Sequence, residues 1–357
     1  MGQNQAKTAA HSASKVGGEA QTPLATDAAF MGEIAEVSRN VAGIFDSDFL
    51  ITAPMDDLME RDFCFYHVDN FEEHDRYTIA AVARPEAKRV MAIESMNNYY
   101  KVLSLMQDRS YHVPKLERAG AVPKLVFGHE GEQQLERDPE WTSRPTLILS
   151  MTSHPVMLGA LSAFSPTGCL PTSLALTIGV GLCRAIAALH RAGYVHRLVT
   201  PFSFAVCSPI SVTNLASRIL HIDFSLAKEW PLKPLFIYPF TGSLKYASLR
   251  VHHLRGQEPA DDIISIIYVI AEMIAGKLPW RSVKEQGTIK KLKSKFHKSP
   301  CYKMLPTEIR ALYSEMMRAE QFTVVDHSKI LDAFRTAIER KYPEGIKLPP
   351  WLTTPTQ

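Results

Sequence analysis

One run of residues limits what this chain can become. His196-Arg197-Leu198-Val199-Thr200-Pro201-Phe202-Ser203-Phe204-Ala205-Val206 follows a helix-periodic apolar stretch and precedes Ile219-Leu220-His221-Ile222-Asp223-Phe224-Ser225-Leu226-Ala227-Lys228. In the preceding stretch Leu174, Ile178, Leu182, Ile186 and Leu189 recur every three to four residues and define one buried helical face. Between Glu140 and Asp223 there is no Asp or Glu at all. The long helix and the loop after it therefore bring no carboxylate for acid–base work, and Asp223 is the first acid to follow them.

Around this centre the chain changes character. Residues 1–28 are rich in Gln, Ala, Ser, Thr, Lys and Gly, lack an apolar period and read as a disordered tail. Residues 29–60 form an N-terminal extension in which Phe30, Ile34, Val37, Val41 and Phe45 predict a packed helix over Ala29 to Ile51. From Arg61 to Ile93, β-prone runs (Phe63 to Val68, Tyr77 to Ile79, Val90 to Ile93) predict the first strands. A helix is expected over Met96 to Gln107, strands over Val122 to Phe127 and Pro145 to Met151, and a short helix over His154 to Phe164. Beyond Leu174 the pattern is helical. Asp261 to Ala275 is apolar nearly all round, as a helix at the centre of a domain is. Ile309 to Met317 and Ser328 to Arg340 read as the last helices, before a Pro-rich tail over 343–357. Strands first and helices afterwards is an α+β division, with a boundary near residue 150 and the second part ending near 342.

Composition removes several function classes. The net charge of +3 is too small to imply nucleic acid. The five cysteines (Cys64, Cys169, Cys183, Cys207, Cys301) are odd in number and have no metal-ligand spacing, which predicts free, mostly buried thiols in a reducing compartment. An intracellular, cytoplasmic protein is therefore expected. Ile263 to Ala275 contains Glu272 and Leu174 to Leu189 contains Arg184, and neither reaches the roughly 20 apolar residues of a membrane span. Residues 2–28 are polar, unlike a secretory signal. Ala6 stands where N-myristoylation calls for Ser or Thr, so that modification is not expected.

The order of motifs resembles a eukaryotic protein kinase, whose catalytic loop reads H-R-D-x-x-x-x-N and whose metal-binding turn reads D-F-G. Phe240-Thr241-Gly242-Ser243-Leu244-Lys245-Tyr246-Ala247-Ser248, Asp261-Asp262 and Gly276-Lys277-Leu278-Pro279-Trp280 then follow in order. This is similar to the casein kinase 1 superfamily, including tau-tubulin kinases, with its T-G-x-x-x-Y-A-S segment and its L-P-W signature. The resemblance is good from about Gly193 to Tyr342 and weak from Arg61 to Leu149. It implies a two-lobed fold, a small β-rich N-lobe over 61–150 and a larger helical C-lobe over 151–342, together with ATP and Mg²⁺ as cofactors.

The frame is kept and most of the chemistry is missing. Phosphoryl transfer needs positioning and charge neutralisation. Leu198 replaces the loop Asp and has no lone pair to accept or orient the substrate proton. Thr200 replaces the Lys that contacts the transferred phosphate. Ser203 replaces the metal-binding Asn and is shorter. From residue 44 to residue 119 there is no glycine, so the hairpin that lets backbone amides approach phosphates is absent. The β3 Lys is expected within Val90 to Ser95, with Ala92 as the aligned residue and Met91 or Glu94 as alternatives. Lys88 and Arg89 stand nearby. No Glu occurs from Ser95 to Leu116 to pair with such a Lys. Asp223 remains as the one residue to hold a metal if Mg-nucleotide binds.

What is retained reads as scaffold. The resemblance gives His196 and Phe224 the task of holding the metal-binding turn and Asp262 that of accepting hydrogen bonds from the loop backbone. Trp280 anchors the segment after the central helix. Arg197 is expected to meet an acid of the activation segment, Glu229 being a candidate. The basic run Lys284 to Lys303 (with Lys290, Lys291, Lys293, Lys295 and Lys298) predicts a solvated helical face, with recognition of acidic segments as the alternative. The expectation is a pseudokinase that binds other proteins, an active kinase or its substrates, without efficient phosphoryl transfer and without a bound cofactor. Its rivals are an atypical serine/threonine kinase and a non-catalytic nucleotide sensor.

Overall fold

The computed structural model describes residues 43–45, 49–55, 62–70, 76–84, 89–123 and 143–353. The strands β1 (Gly43–Phe45), β2 (Phe49–Pro54), β3 (Phe63–Asn70) and β4 (Tyr77–Ala83) form an antiparallel run. A helix, α1 (Arg89–Met106), follows. Then come β5 (Lys115–Pro123) and β6 (Ser143–Met151), and the six strands lie in the order β1-β2-β3-β4-β6-β5. Phe63, Phe65, Ile79, Ala81, Ala83, Leu147 and Leu149 pack with Ala92, Met96, Tyr99 and Leu103 of α1, because alternate strand residues face one side of a sheet.

Three expectations change here. The strand expected at Val90 to Ile93 is the first turn of α1, where Ala92 begins a buried stripe continued by Met96, Tyr99, Leu103 and Met106. A short apolar run carries both periods, and the longer stripe decides for helix. Of the helix expected over Ala29 to Ile51, residues 29–42 lie outside the described residues, and Gly43–Phe45 and Phe49–Pro54 are strands of the sheet. The sheet thus draws on the segment expected to be an extension. The strand expected at Val122 to Phe127 begins earlier, at Lys115. The tail over residues 1–28 lies outside the described residues.

The helical part begins with β7 (Pro155–Met157) and the short α2 (Leu161–Phe164), so the helix expected from His154 starts as a strand. Next is α3 (Thr172–Arg191), buried on most of its circumference. By length and composition α3 could cross a membrane, yet 89% of its apolar window is buried inside the fold, as in a core helix. It lies so close to the helix over residues 327–341 that a Cβ on Gly179 would meet the Phe334 ring at 2.3 Å. Short strands β8 (Tyr194–Val195), β9 (Phe204–Cys207), β10 (Ile219–His221) and β11 (Lys228–Glu229) frame the central loop. After α4 (Leu249–His252) comes the central helix α5 (Pro259–Ala275). Glu258 and Asp261 form a reciprocal capping box at its start, Pro259 opens it, and Gly276 ends it at φ +79°. Helices α6 (Gln286–Ser294), α7 (Pro300–Met304), α8 (Thr307–Arg318), α9 (His327–Lys341) and α10 (Pro350–Thr353) complete the larger part. The result is a two-lobed, kinase-like α+β fold.

The basic run is not uniformly solvated. Lys293 is 1% exposed and donates to the Leu244 carbonyl at 2.8 Å and the Ala247 carbonyl at 2.5 Å, beneath the Tyr268 and Trp280 rings. Burial holds its amine well below the usual range. Trp280 is fully buried and donates its indole N–H to Lys245 O at 2.7 Å. Lys293 and Trp280 together fix the segment Phe240 to Ser248 from below.

Candidate functional site

The loop from His196 to Ser203 hangs from α5. Asp262 accepts the His196 amide at 2.7 Å and the Arg197 amide at 3.0 Å, and its Oδ2 also meets His190 Nε2 at 2.9 Å. Burial opposes ionisation of Asp262, but His190 and the neighbouring amide outweigh it and keep the carboxyl below the ordinary carboxylate range. That anchor holds Arg197 in the left-handed region at φ +68°, a conformation costing a non-glycine residue about 1 kcal/mol. Gly242 approaches from the other side, where a Cβ would lie 2.4 Å from Arg197 O at φ +110°. Only glycine fits there, and this contact ties the T-G-x-x-x-Y-A-S segment to the loop.

Within the loop the polar groups bond to one another. Ser203 Oγ donates to Leu198 O at 2.7 Å and lies 3.0 Å from Thr200 Oγ1, which accepts the Phe202 amide at 3.2 Å. Leu198, Thr200 and Ser203 are all buried. His196 Nδ1 accepts the Leu198 amide at 3.1 Å, and burial lowers its basicity below that of a free imidazole. Its acceptor nitrogen is thus occupied, so His196 is no surrogate for the missing loop carboxylate. Its ring stacks on His221 at 4.2 Å, and burial with the adjacent His196 pushes His221 far below its ordinary value.

Asp223 is buried at the turn after β10. Its Oδ1 accepts the Ser225 amide at 3.0 Å and the Ser225 hydroxyl at 2.7 Å. Phe224 packs 3.8 Å from His221 and 6.0 Å from Tyr99 on α1, and Tyr99 lies 5.5 Å from Phe63 on β3. Aromatic contacts therefore run unbroken from the sheet to His196. Tyr99 donates its hydroxyl to Ile222 O, and Asn98 donates its amide to Phe224 O, Ser225 O and Ala227 O at 3.2, 2.9 and 2.8 Å. Nothing in the local sequence marked Asn98 for this task, because its three acceptors lie far along the chain. Its one signal is a position next to the buried stripe of α1.

The expected position of the β3 Lys is corrected. Val90 to Ser95, with Ala92, Met91 and Glu94, lie on α1 and not on a strand. The strand before that helix is β4, and its residues facing α1 are Ile79, Ala81 and Ala83. Met96 and Ala92 meet them from the helix. Arg84 follows directly on β4 and is buried, so the end of this strand carries a cation.

The expected Arg197–Glu229 pair is not formed. Arg197 Nε donates to Leu226 O at 2.8 Å, and Glu229 pairs with Lys101 of α1 at 2.7 Å and accepts from Tyr194 at 3.1 Å. A cavity of about 510 Å³ beside the loop is lined by Arg197, Lys101, Lys228 and Tyr238, and Leu198, Thr200, Ser203 and Asp223 take no part in it. Among the described residues, no group of three or more His, Cys, Asp or Glu is arranged to hold a metal ion. Asp223 is the one expected metal-holding residue at this turn, and the residues around it are hydroxyls, imidazoles and apolar groups.

The fold and the motif order define a kinase-like protein, and sequence comparison bears on its relatives. The chain is 33% identical over 149 residues to a Dictyostelium discoideum protein named as a probable serine/threonine-protein kinase, covering 40% of this chain and 29% of the relative. It is 27% identical over 262 residues to a Caenorhabditis elegans protein named as a putative casein kinase I, covering 70% of this chain and 69% of the relative. A probable casein kinase I homologue of Encephalitozoon cuniculi is 30% identical over 116 residues, 30% of this chain and 36% of the relative. No family model matches the chain. These relatives support the protein kinase superfamily for this chain.

Proposed function

We propose that the chain is a casein kinase 1-like pseudokinase that binds other proteins and does not transfer phosphate efficiently. One observation carries the reading: Leu198, Thr200 and Ser203 stand at the positions of the base, the phosphate-contacting Lys and the metal-binding Asn, all three are buried, and Ser203 Oγ is bonded to the Leu198 carbonyl and the Thr200 hydroxyl. None of the three is a carboxylate, a cation or an amide. Removing one main catalytic group of an enzyme costs on the order of several kcal/mol of barrier, and here the losses all point in one direction.

Protein partners follow from this reading, an active kinase or its substrates being the expected classes. The test is transfer of radiolabelled phosphate from ATP to casein and to the chain itself, beside an Asp223→Ala variant. Equal background counts for both proteins support the proposal. Transfer that is present in the unaltered chain and lost in the variant refutes it.

A further inference from the structure

Residues 231–239 present Leu235, Phe236 and Ile237 to solvent, with Phe236 fully exposed. Three consecutive large apolar side chains facing water are unusual on a folded surface. The backbone that presents them is fastened. Tyr238 donates its hydroxyl to Lys233 O at 2.9 Å and accepts the Leu235 amide at 3.2 Å, while its own amide donates to Leu254 O at 3.1 Å. The turn is thus held open by three bonds from one residue.

Below it lies a groove of about 730 Å³, walled by this turn, by Leu254 to Gly256 after α4, and by Met317 to Gln321 at the end of α8. Its charge is one-sided. Arg255 and Arg318 line the groove, Lys233 stands beside it, and all three are exposed and enter no ion pair among the described residues. Arg250 is already held by Asp261 and by Ala319 O. Of the acids, Glu258 is buried and accepts from Trp230 and from the Phe322 amide, which leaves Glu320 as the exposed carboxylate on the wall. Lys290 and Arg255 also flank His253 at the rim and, with burial, lower its basicity.

We infer that this face, outside the catalytic cleft, docks an acidic segment of a partner protein bearing apolar anchors. The anchors pack on Leu235, Phe236, Ile237 and Leu254, and the carboxylates meet Arg255, Arg318 and Lys233. Apolar area supplies affinity in such a groove, and the matching charges fix register and on-rate. The inference does not depend on whether the cleft has lost phosphoryl transfer.

The experiment uses the full chain and a fluorescent acidic peptide of about twelve residues with Leu and Phe anchors at helical spacing. Two matched peptides are compared with it, one with Lys in place of the acids and one with Ser in place of the anchors. The acidic, anchored peptide is expected to bind saturably and the other two at least about tenfold more weakly. Phe236→Ser with Ile237→Ser, and separately Arg255→Glu with Arg318→Glu, are each expected to weaken binding about tenfold or more. Lys298→Glu with Lys303→Glu, on the other basic surface, is expected to leave it unchanged. All the altered side chains are exposed, and an unchanged melting temperature verifies the fold. Absence of binding, equal binding of the Lys peptide, or binding indifferent to the groove variants overturns the inference. So does a fall in oligomeric mass with Phe236→Ser, which would make a second copy the occupant, or loss of binding to phosphatidylserine vesicles alone, which would make it a membrane.

Discussion

Ser225 donates both its amide and its hydroxyl to the same oxygen of Asp223, at 3.0 and 2.7 Å. A glycine at this place supplies only the amide, so the serine adds a hydrogen bond to the Asp223 carboxylate. Bonds to a carboxylate fix its orientation. Ser225→Gly removes the hydroxyl bond while sparing the amide. We expect it to lower stability by about 1 kcal/mol and to restore no phosphate transfer, because Leu198 and Thr200 are unchanged. Urea unfolding and the casein assay measure the two effects. Appearance of activity in this single variant would show that the serine alone silences the site.

Asn98 links α1 to the turn after Asp223 through three backbone carbonyls. Asn98→Ala leaves three carbonyls, of the buried residues Phe224, Ser225 and Ala227, without this donor. We expect a loss of about 1–3 kcal/mol and a lower melting temperature by circular dichroism. Asn98→Asp is expected to be worse, since it puts an acceptor against acceptors. An unchanged melting temperature for both variants would remove Asn98 from the support of the turn.

Lys293→Met keeps the length of the side chain and loses its donors. The Leu244 and Ala247 carbonyls then lack their partner, at a cost of about 1–3 kcal/mol, read by urea unfolding. Lys295→Met, on the exposed side of the same basic run, is expected to change stability by less than about 0.5 kcal/mol. Equal effects at the two positions would contradict the burial of Lys293.

Acid should weaken the fold before carboxylates titrate. Burial lowers His252 and His327 to about 4, with nearby cations and histidines adding to the effect, and it lowers His196 and His221 as well. A histidine whose folded pKa lies below its unfolded 6.5 binds more protons when unfolded, so its contribution is intact above 6.5 and is lost as pH falls toward 4. The melting temperature is therefore expected to be flat from pH 8 to 7 and to fall between pH 6.5 and 4. His252→Gln should flatten part of that fall. A melting temperature that rises on acidification in this window would reverse the sign of the linkage.

The parts of this fold that were readable in sequence are those decided locally. Leu174 to Leu189 carries a helical period, Asp261 to Ala275 is an apolar run too long for an ordinary strand, and both helices form where expected. The loop substitutions at Leu198, Thr200 and Ser203 were equally visible, because motif order supplies their frame. Val90 to Ile93 was misread because four apolar residues suit a strand as well as a helix, and the stripe through Met106 is what separates the two. Lys293 looked solvated among other lysines, and its burial depends on carbonyls nearly fifty residues earlier in the chain. Glu229, on the strand paired with β8 beside Arg197, is taken instead by Lys101, whose nearness follows from the packing of α1 and from no local pattern.

The most direct test of a cleft emptied of its chemistry is nucleotide binding itself. The full chain is titrated with ATP and Mg²⁺ while its thermal unfolding is followed, with Asp223→Ala in parallel. The expected result is a melting temperature independent of nucleotide in both proteins. A saturable rise in the unaltered chain, approaching about 2.7 kcal/mol of added stability at a hundred times the dissociation constant and absent from Asp223→Ala, would contradict it.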